Sequence, residues 1–213
     1  MSYDQILSKI VENGKISYGI LFGNEKIVFI KVGTDGTVKG YQDKYIKMSK
    51  RIHDRTGATV ICASNPYISR NKQLSVDKGA IKYVVNSCGF DNYELYFVGT
   101  SDGGYHSLLL SQHFPQTVKY LGINSSHKGL EDLVDKIQSI PHVEKIFIYG
   151  TEDEDYSSIV PTLNSLNCNT LKIISLEGVD HEFTGRVDEF IELIDLLKII
   201  TISKGRKTWK TIN

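Results

Sequence analysis

Short apolar runs alternate with amphipathic stretches along most of the chain, and turn residues separate them. Residues 4–12 read as a short helix. Lys15 to Phe22 and Lys26 to Val32 read as strands joined by a turn at Gly23-Asn24, a spacing that suits a hairpin. Over 40–56, Tyr41, Tyr45, Met48 and Ile52 recur at helical spacing and share one face. Gly57 follows as a C-terminal stop. Ala58 to Ala63 is a strand, Ser64 to Tyr67 a loop, and 74–88 a helix with Val76, Ala80 and Tyr83 or Val84 turned inward. The second half keeps the alternation. Strands at Tyr93 to Val98, Val118 to Ile123, Val143 to Tyr149 and Thr170 to Leu176 lead into helices at 102–113, 129–139, 157–166 and 183–199.

Most of these strands are continuous apolar runs, such as Leu95-Tyr96-Phe97-Val98 and Phe147-Ile148-Tyr149. Runs of this kind suit a parallel sheet covered on both faces. Strand–helix alternation then gives right-handed crossovers and an α/β fold, a three-layer α/β/α sandwich with a doubly wound, mostly parallel sheet. There is no internal repeat, low-complexity tract or linker. The 213 residues are expected to form a single domain, 1–213.

Composition narrows the function. Lys plus Arg and Asp plus Glu are both 25, so nothing favours a nucleic-acid partner. The one basic cluster, Lys204, Arg206, Lys207 and Lys210, reads as a solvated terminus. No apolar stretch reaches the ~18 residues of a membrane span, and no signal peptide is visible at the N-terminus. Cys62, Cys88 and Cys168 make neither a zinc-like spacing nor a disulfide framework. The expectation is a cytoplasmic protein with no membrane or nucleic-acid partner. No metal-ligand cluster stands out, and His53, His106, His113 and His142 read as exposed or packed residues on helices and turns.

In open α/β sheets, sites collect beyond the carboxyl ends of the strands. After Val98 comes Gly99-Thr100-Ser101-Asp102-Gly103-Gly104, a G-x-S-x-G stretch at a strand-to-helix junction. There a serine sits on a sharp, strained turn that lifts its hydroxyl clear of the sheet, and the flanking glycines avoid clashes. After Tyr149 comes Gly150-Thr151-Glu152-Asp153-Glu154-Asp155; Asp153, with Asp155 as the alternative, can orient a histidine. After Leu176 comes Glu177-Gly178-Val179-Asp180-His181, and His181 is the candidate general base for Ser101.

Together these loops resemble the α/β-hydrolase superfamily, over about residues 15 to 200. The resemblance rests on the Gly99–Gly104 elbow, Gly150 to Asp153 and Gly178 to His181, in the order Ser…Asp…His. It implies a sheet of about eight strands, a Ser101–Asp153–His181 catalytic triad and hydrolysis of an ester, thioester or amide, usually without a cofactor. A small-molecule acyl substrate is the expected partner. An oxyanion hole should be formed by the backbone N–H of Asp102 and, from the loop Gly33-Thr34-Asp35-Gly36, that of Thr34. Many members carry His-Gly where this chain has Val32-Gly33. The 52 positions between Ser101 and Asp153 leave no room for a lid, so the site should be open. Tyr67, Tyr105, Asn124 and His127, with Asn65 and Ser125, are candidate pocket residues and suggest a modest acyl or sugar-decorated substrate. Two other readings stay open. One is a hydrolase fold that has lost catalysis and serves as a binding scaffold. The other is a nucleotide-binding α/β domain with Gly99–Gly104 cradling a phosphate at a helix N-terminus.

Overall fold

The computed structural model describes residues 1–11, 14–126 and 129–199. The element order is β1 (Gln5–Val11), β2 (Gly14–Leu21), β3 (Asn24–Lys31), α1 (Lys44–Thr56), β4 (Ala58–Ala63), α2 (Arg70–Cys88), β5 (Glu94–Thr100), α3 (Asp102–Ser111), β6 (Thr117–Ile123), α4 (Leu130–Gln138), β7 (Glu144–Gly150), α5 (Tyr156–Asn164), β8 (Leu171–Leu176) and α6 (Val187–Glu192). The strands form one eight-stranded sheet in the order β1-β2-β4-β3-β5-β6-β7-β8. Pairing is parallel from β4 through β8, and antiparallel where β1 meets β2 and β2 meets β4.

Both faces of the sheet are covered. Val28, Ile30, Val60, Val98, Leu121 and Ile148 pack against α1 and α6 on one side. Their strand neighbours Ile27, Phe29, Ile61, Phe97, Tyr120 and Phe147 pack against α2 to α5 on the other. Alternate residues thus enter different cores, which is why the central strands read as unbroken apolar runs.

Five sequence expectations are corrected. Residues 4–12 are not a helix: Gln5–Val11 is an edge strand paired with β2 over seven residues. The two strands flanking Gly23-Asn24 do not form a hairpin, because β4 lies between them. Tyr41 is not on the buried face of α1. It sits on a short 3-10 turn, Tyr41–Asp43, broken by Gln42 at φ 50°, and is 71% exposed. In α2 the inward residues include Gln73, Asp77 and Ile81 with Ala80 and Val84, while Tyr83 faces out. The last helix begins later than expected, at Val187, because Phe183 and Gly185 both take positive φ in the preceding turn. Gly57 does cap α1, in the left-handed conformation at φ 66°.

A buried charge network lies between α2, α3 and the sheet. The Asp77 carboxylate accepts from Lys31 Nζ at 3.0 Å, His106 Nε2 at 2.8 Å and the Tyr18 hydroxyl at 2.6 Å. Lys31 Nζ also donates to the Ser64 carbonyl at 2.9 Å. His106 is therefore a packed residue of this network. Burial alone would raise the Asp77 carboxyl; Lys31, His106 and Tyr18 outweigh it and hold the group below its ordinary value. The basic cluster at 204–210 lies outside the described residues. Among the described residues no helix is long and apolar enough to cross a membrane, and no three His, Cys, Asp or Glu side chains gather in a group able to hold a metal ion.

Candidate active site

Ser101 stands between β5 and α3 with φ 51° and ψ −130°, a conformation seldom taken by a residue with a side chain. The turn is held from both sides. The Ser101 N–H donates to the Ile123 carbonyl at 3.0 Å, and its carbonyl accepts from Gly104 at 2.9 Å and Ser126 at 3.1 Å. The glycines follow from close approach. A Cβ on Gly99 would fall inside 3.0 Å of the Gly103 and Gly104 backbone, and one on Gly103 inside 3.0 Å of the Lys31 and Val32 carbonyls. One on Gly104 would meet Ser125 just as closely. The sequence G-x-S-x-G-G is thus what lets α3 start directly over β3 and β6.

The loops after β7 and β8 bring two more side chains to this serine. His181 Nε2 lies 2.9 Å from Ser101 Oγ, and His181 Nδ1 lies 2.6 Å from Asp153 Oδ2. Asp153 is buried, and its other oxygen accepts from the Asp155 N–H at 2.8 Å. Asp155, the alternative acid, thus supports Asp153 through its backbone. The hydrogen bond that Nδ1–H donates to Asp153 is the main cause holding the imidazole above its ordinary 6.5; partial burial opposes it, and the charges of Asp153, Glu182 and Glu154 add to it.

The loop after β3 presses against the serine. An added Cβ on Gly33 would sit 3.3 Å from Ser101 Cβ and 3.8 Å from its Oγ. Asn65 fixes this loop: its carbonyl accepts from the Asp35 N–H at 2.8 Å, and its own N–H donates to the Gly36 carbonyl at 3.1 Å. Its side chain reaches across to Asp102 Oδ2 at 3.2 Å. Arg70 forms an ion pair with the other Asp102 oxygen. Burial would raise the Asp102 carboxyl, but Arg70 and then Asn65 outweigh it and keep the group below its ordinary value. The Asp102 side chain is thereby engaged toward α2. Its N–H, at the first position of α3, has no acceptor within the helix. Among the described residues the Thr34 N–H has no hydrogen-bond acceptor either.

Two clefts flank the serine. One, of about 400 Å³, is lined by Ser101, His181, Thr34, Lys44, Tyr45 and Phe190. The other, of about 450 Å³, is lined by Thr34, Asp102, Asn65, Tyr67 and Arg70. The Tyr45 hydroxyl is 2.7 Å from Thr100 Oγ1, and burial pushes it up to about 12.

The expected pocket residues divide. Tyr67 lines the second cleft and is 88% exposed. Tyr105 is not at the site: it is buried on the α2–α5 side, hydrogen-bonded to Asp132 and beneath the Arg70 guanidinium. Asn124 is not a lining residue either. It is 3% exposed, and its amide is used up by backbone groups of the flanking loops. Ser125 is buried, its carbonyl accepting from the Tyr149 hydroxyl. His127 lies outside the described residues. Sequence reading missed Lys44, whose place at the site depends on how α1 meets α6. Between Ser101 and Asp153 the described residues belong to α3, β6, α4, β7 and short connections, with no lid inserted.

Solved structures share this architecture. Est1E from Butyrivibrio proteoclasticus superposes with a TM-score of 0.69 at 11% identity, over 91% of this chain and 97% of that one. XC6422 from Xanthomonas campestris, an α/β serine hydrolase without a lid, gives 0.67 at 13% identity, over 96% and 98%. Dienelactone hydrolase from Anabaena variabilis gives 0.66 at 15% identity, over 90% and 94%. In sequence, the chain matches no family profile and no curated protein. The chain has the α/β-hydrolase fold, in a form without a lid.

Proposed function

We propose that the protein is a serine hydrolase that cleaves a small ester or thioester through an acyl-enzyme intermediate. The observation that carries this is the unbroken chain of contacts, 2.9 Å from Ser101 Oγ to His181 Nε2 and 2.6 Å from His181 Nδ1 to Asp153. With the proton on Nδ1 held by Asp153, Nε2 is free to accept. Ser101 Oγ attacks the substrate carbonyl as its proton passes to Nε2. The carbonyl oxygen becomes an oxyanion, stabilised by the N–H groups of Asp102 and Thr34. Collapse expels the leaving group, which takes the proton from Nε2. Water then repeats the sequence on the acyl-serine, releasing the acid and restoring the serine.

The intact contact chain favours catalysis over a binding scaffold. The Asp102 carboxylate, in the first turn of α3, works against a phosphate at that helix end. Dienelactone hydrolase and Est1E, proteins of the same fold, support an ester as the substrate. The reading is tested with p-nitrophenyl acetate and butyrate. Turnover by the wild type and its loss in Ser101→Ala, by about a thousandfold or more, is the expected result. Equal turnover by the two proteins would refute it.

A further inference from the structure

Among the described residues four lysines are buried, and three of them have a polar partner within 3.0 Å. Lys31 Nζ bonds the Ser64 carbonyl at 2.9 Å and Asp77 at 3.0 Å. Lys119 Nζ meets Glu144 at 2.8 Å. Lys145 Nζ donates to Ile140, Val143 and Thr170 at 2.8, 2.6 and 2.9 Å. Lys44 is the exception. The residue is 8% exposed, and its ammonium faces the cleft with no protein hydrogen-bond partner among the described residues. It sits 4.8 Å from the Phe190 ring centroid and 5.4 Å from that of Tyr45. Among the described residues its carboxylate neighbour is Glu182, 3.8 Å away, on a side chain that is mostly exposed.

The Lys44 side chain is largely buried, its ammonium opens onto the cleft, and ring faces replace part of the hydration it loses. Burial accordingly lowers the Lys44 pKa, against the opposing pull of Glu182. A ligand in the cleft would give the ammonium the hydrogen bonds that the two rings do not. The ammonium lines the same 400 Å³ cleft as Ser101 and His181. That volume suits a small molecule, so one ligand can meet both the hydroxyl and the ammonium.

We propose that the Ser101 cleft selects esters that carry a carboxylate, and that Lys44 binds this group. The inference rests on the hydrolase reading and names its substrate class. A single ammonium between two aromatic faces offers one charge and up to three donors, enough for a carboxylate. A phosphate dianion would call for a further cation or a cluster of N–H groups. Glu182 already brings a carboxylate to this position at 3.8 Å. A substrate carboxylate would displace it and close to ordinary charge-assisted hydrogen-bond distance. Glu182 is then a competitor for Lys44.

The test compares chain-matched p-nitrophenyl esters: the glutarate and adipate hemiesters against the pentanoate and hexanoate. The readout is the ratio of kcat/KM for the charged ester to that for the neutral one. The wild type is expected to favour a charged ester. Lys44→Met should lower the ratio about tenfold or more, as loss of a hydrogen bond to a charged group does. Lys44→Arg should restore much of it, and Glu182→Gln should raise it through a lower KM. A ratio unmoved by Lys44→Met and Glu182→Gln would overturn the proposal. A second measurement does not depend on turnover: binding of adipate to folded Ser101→Ala protein, followed by NMR, with and without Lys44→Met. Binding that requires Lys44 supports the proposal, and its absence overturns it. Failure of the hydrolase reading looks different, with neither charged nor neutral esters cleaved by the wild type.

Discussion

Asn124 holds His181 by its main chain: the Asn124 side-chain nitrogen donates to the His181 carbonyl at 3.0 Å. The same nitrogen donates to the Asp180 carbonyl at 3.1 Å, and the amide oxygen accepts from the Gly150 N–H at 2.9 Å. One buried amide after β6 thus joins the loop that carries Asp153 to the loop that carries His181. Asn124 takes φ 41°, which asparagine tolerates better than most residues.

Replacing Asn124 by Ala leaves three backbone groups without this partner. The expected cost is about 2–4 kcal/mol of stability, read by urea unfolding. Ester turnover should fall by about tenfold or more as His181 loses its fixed position relative to Asp153. A variant that is destabilised but fully active would show that the histidine loop holds its geometry by other means.

In the proposed mechanism the Asp153–His181 pair gives activity and stability opposite pH dependences. The folded pKa of the His181 imidazole lies above the ordinary 6.5. The general base must be neutral, so the acid limb of kcat/KM should lie above pH 6.5. Asp153→Asn should move that limb down while lowering kcat. For stability the sign reverses: with a raised folded pKa, the pair's contribution is complete below the unfolded value and is lost as pH rises through the folded one. NMR titration of the imidazole, with and without Asp153, measures the shift directly.

Two glycines near the serine should separate folding from function. A Cβ on Gly103 would collide with the carbonyls of Lys31 and Val32, neither of which can yield. Gly103→Ala should therefore cost about 2–4 kcal/mol, seen as a lower Tm. A Cβ on Gly33 would meet Ser101 Cβ at 3.3 Å, a tight but accommodable approach. Gly33→Ala should change stability by about 1 kcal/mol or less and act mainly on kcat, through the displaced Thr34 N–H.

The Asp77 network predicts non-additivity. Asp77→Leu leaves the Lys31 ammonium buried without its counter-charge, and should cost about 3–5 kcal/mol. Adding Lys31→Met to that variant should recover part of the loss. A double-mutant cycle in urea checks this; strictly additive losses would contradict it.

The parts legible in the sequence are those with a local cause. The Ser101 elbow announces itself because close backbone approach demands glycine at 99, 103 and 104. Asp153 and His181 stand in loops directly after apolar runs, so their meeting point follows from the sheet. What stayed hidden depends on distant pairing. Ile6, Leu7, Ile10 and Val11 have helical spacing, and only their seven-residue ladder with β2 makes them a strand. Gly23-Asn24 has the local form of a hairpin turn, but β4, more than thirty residues on, takes the place between the two strands. Asn124 looks like a loop polar residue until its partners 26, 56 and 57 positions away are known. Lys44 has the sequence context of any surface lysine; α6, through Phe190, is what covers it.

The central claim is that Ser101 is a nucleophile activated by His181. A fluorophosphonate reacts with such a serine and leaves a covalent adduct that peptide mass spectrometry can place. The account predicts stoichiometric labelling of the wild type on the peptide that contains Ser101, no adduct in Ser101→Ala, and labelling slowed by about a hundredfold or more in His181→Ala. Folded wild-type protein that stays unlabelled, or labelling that proceeds unchanged without His181, would contradict it.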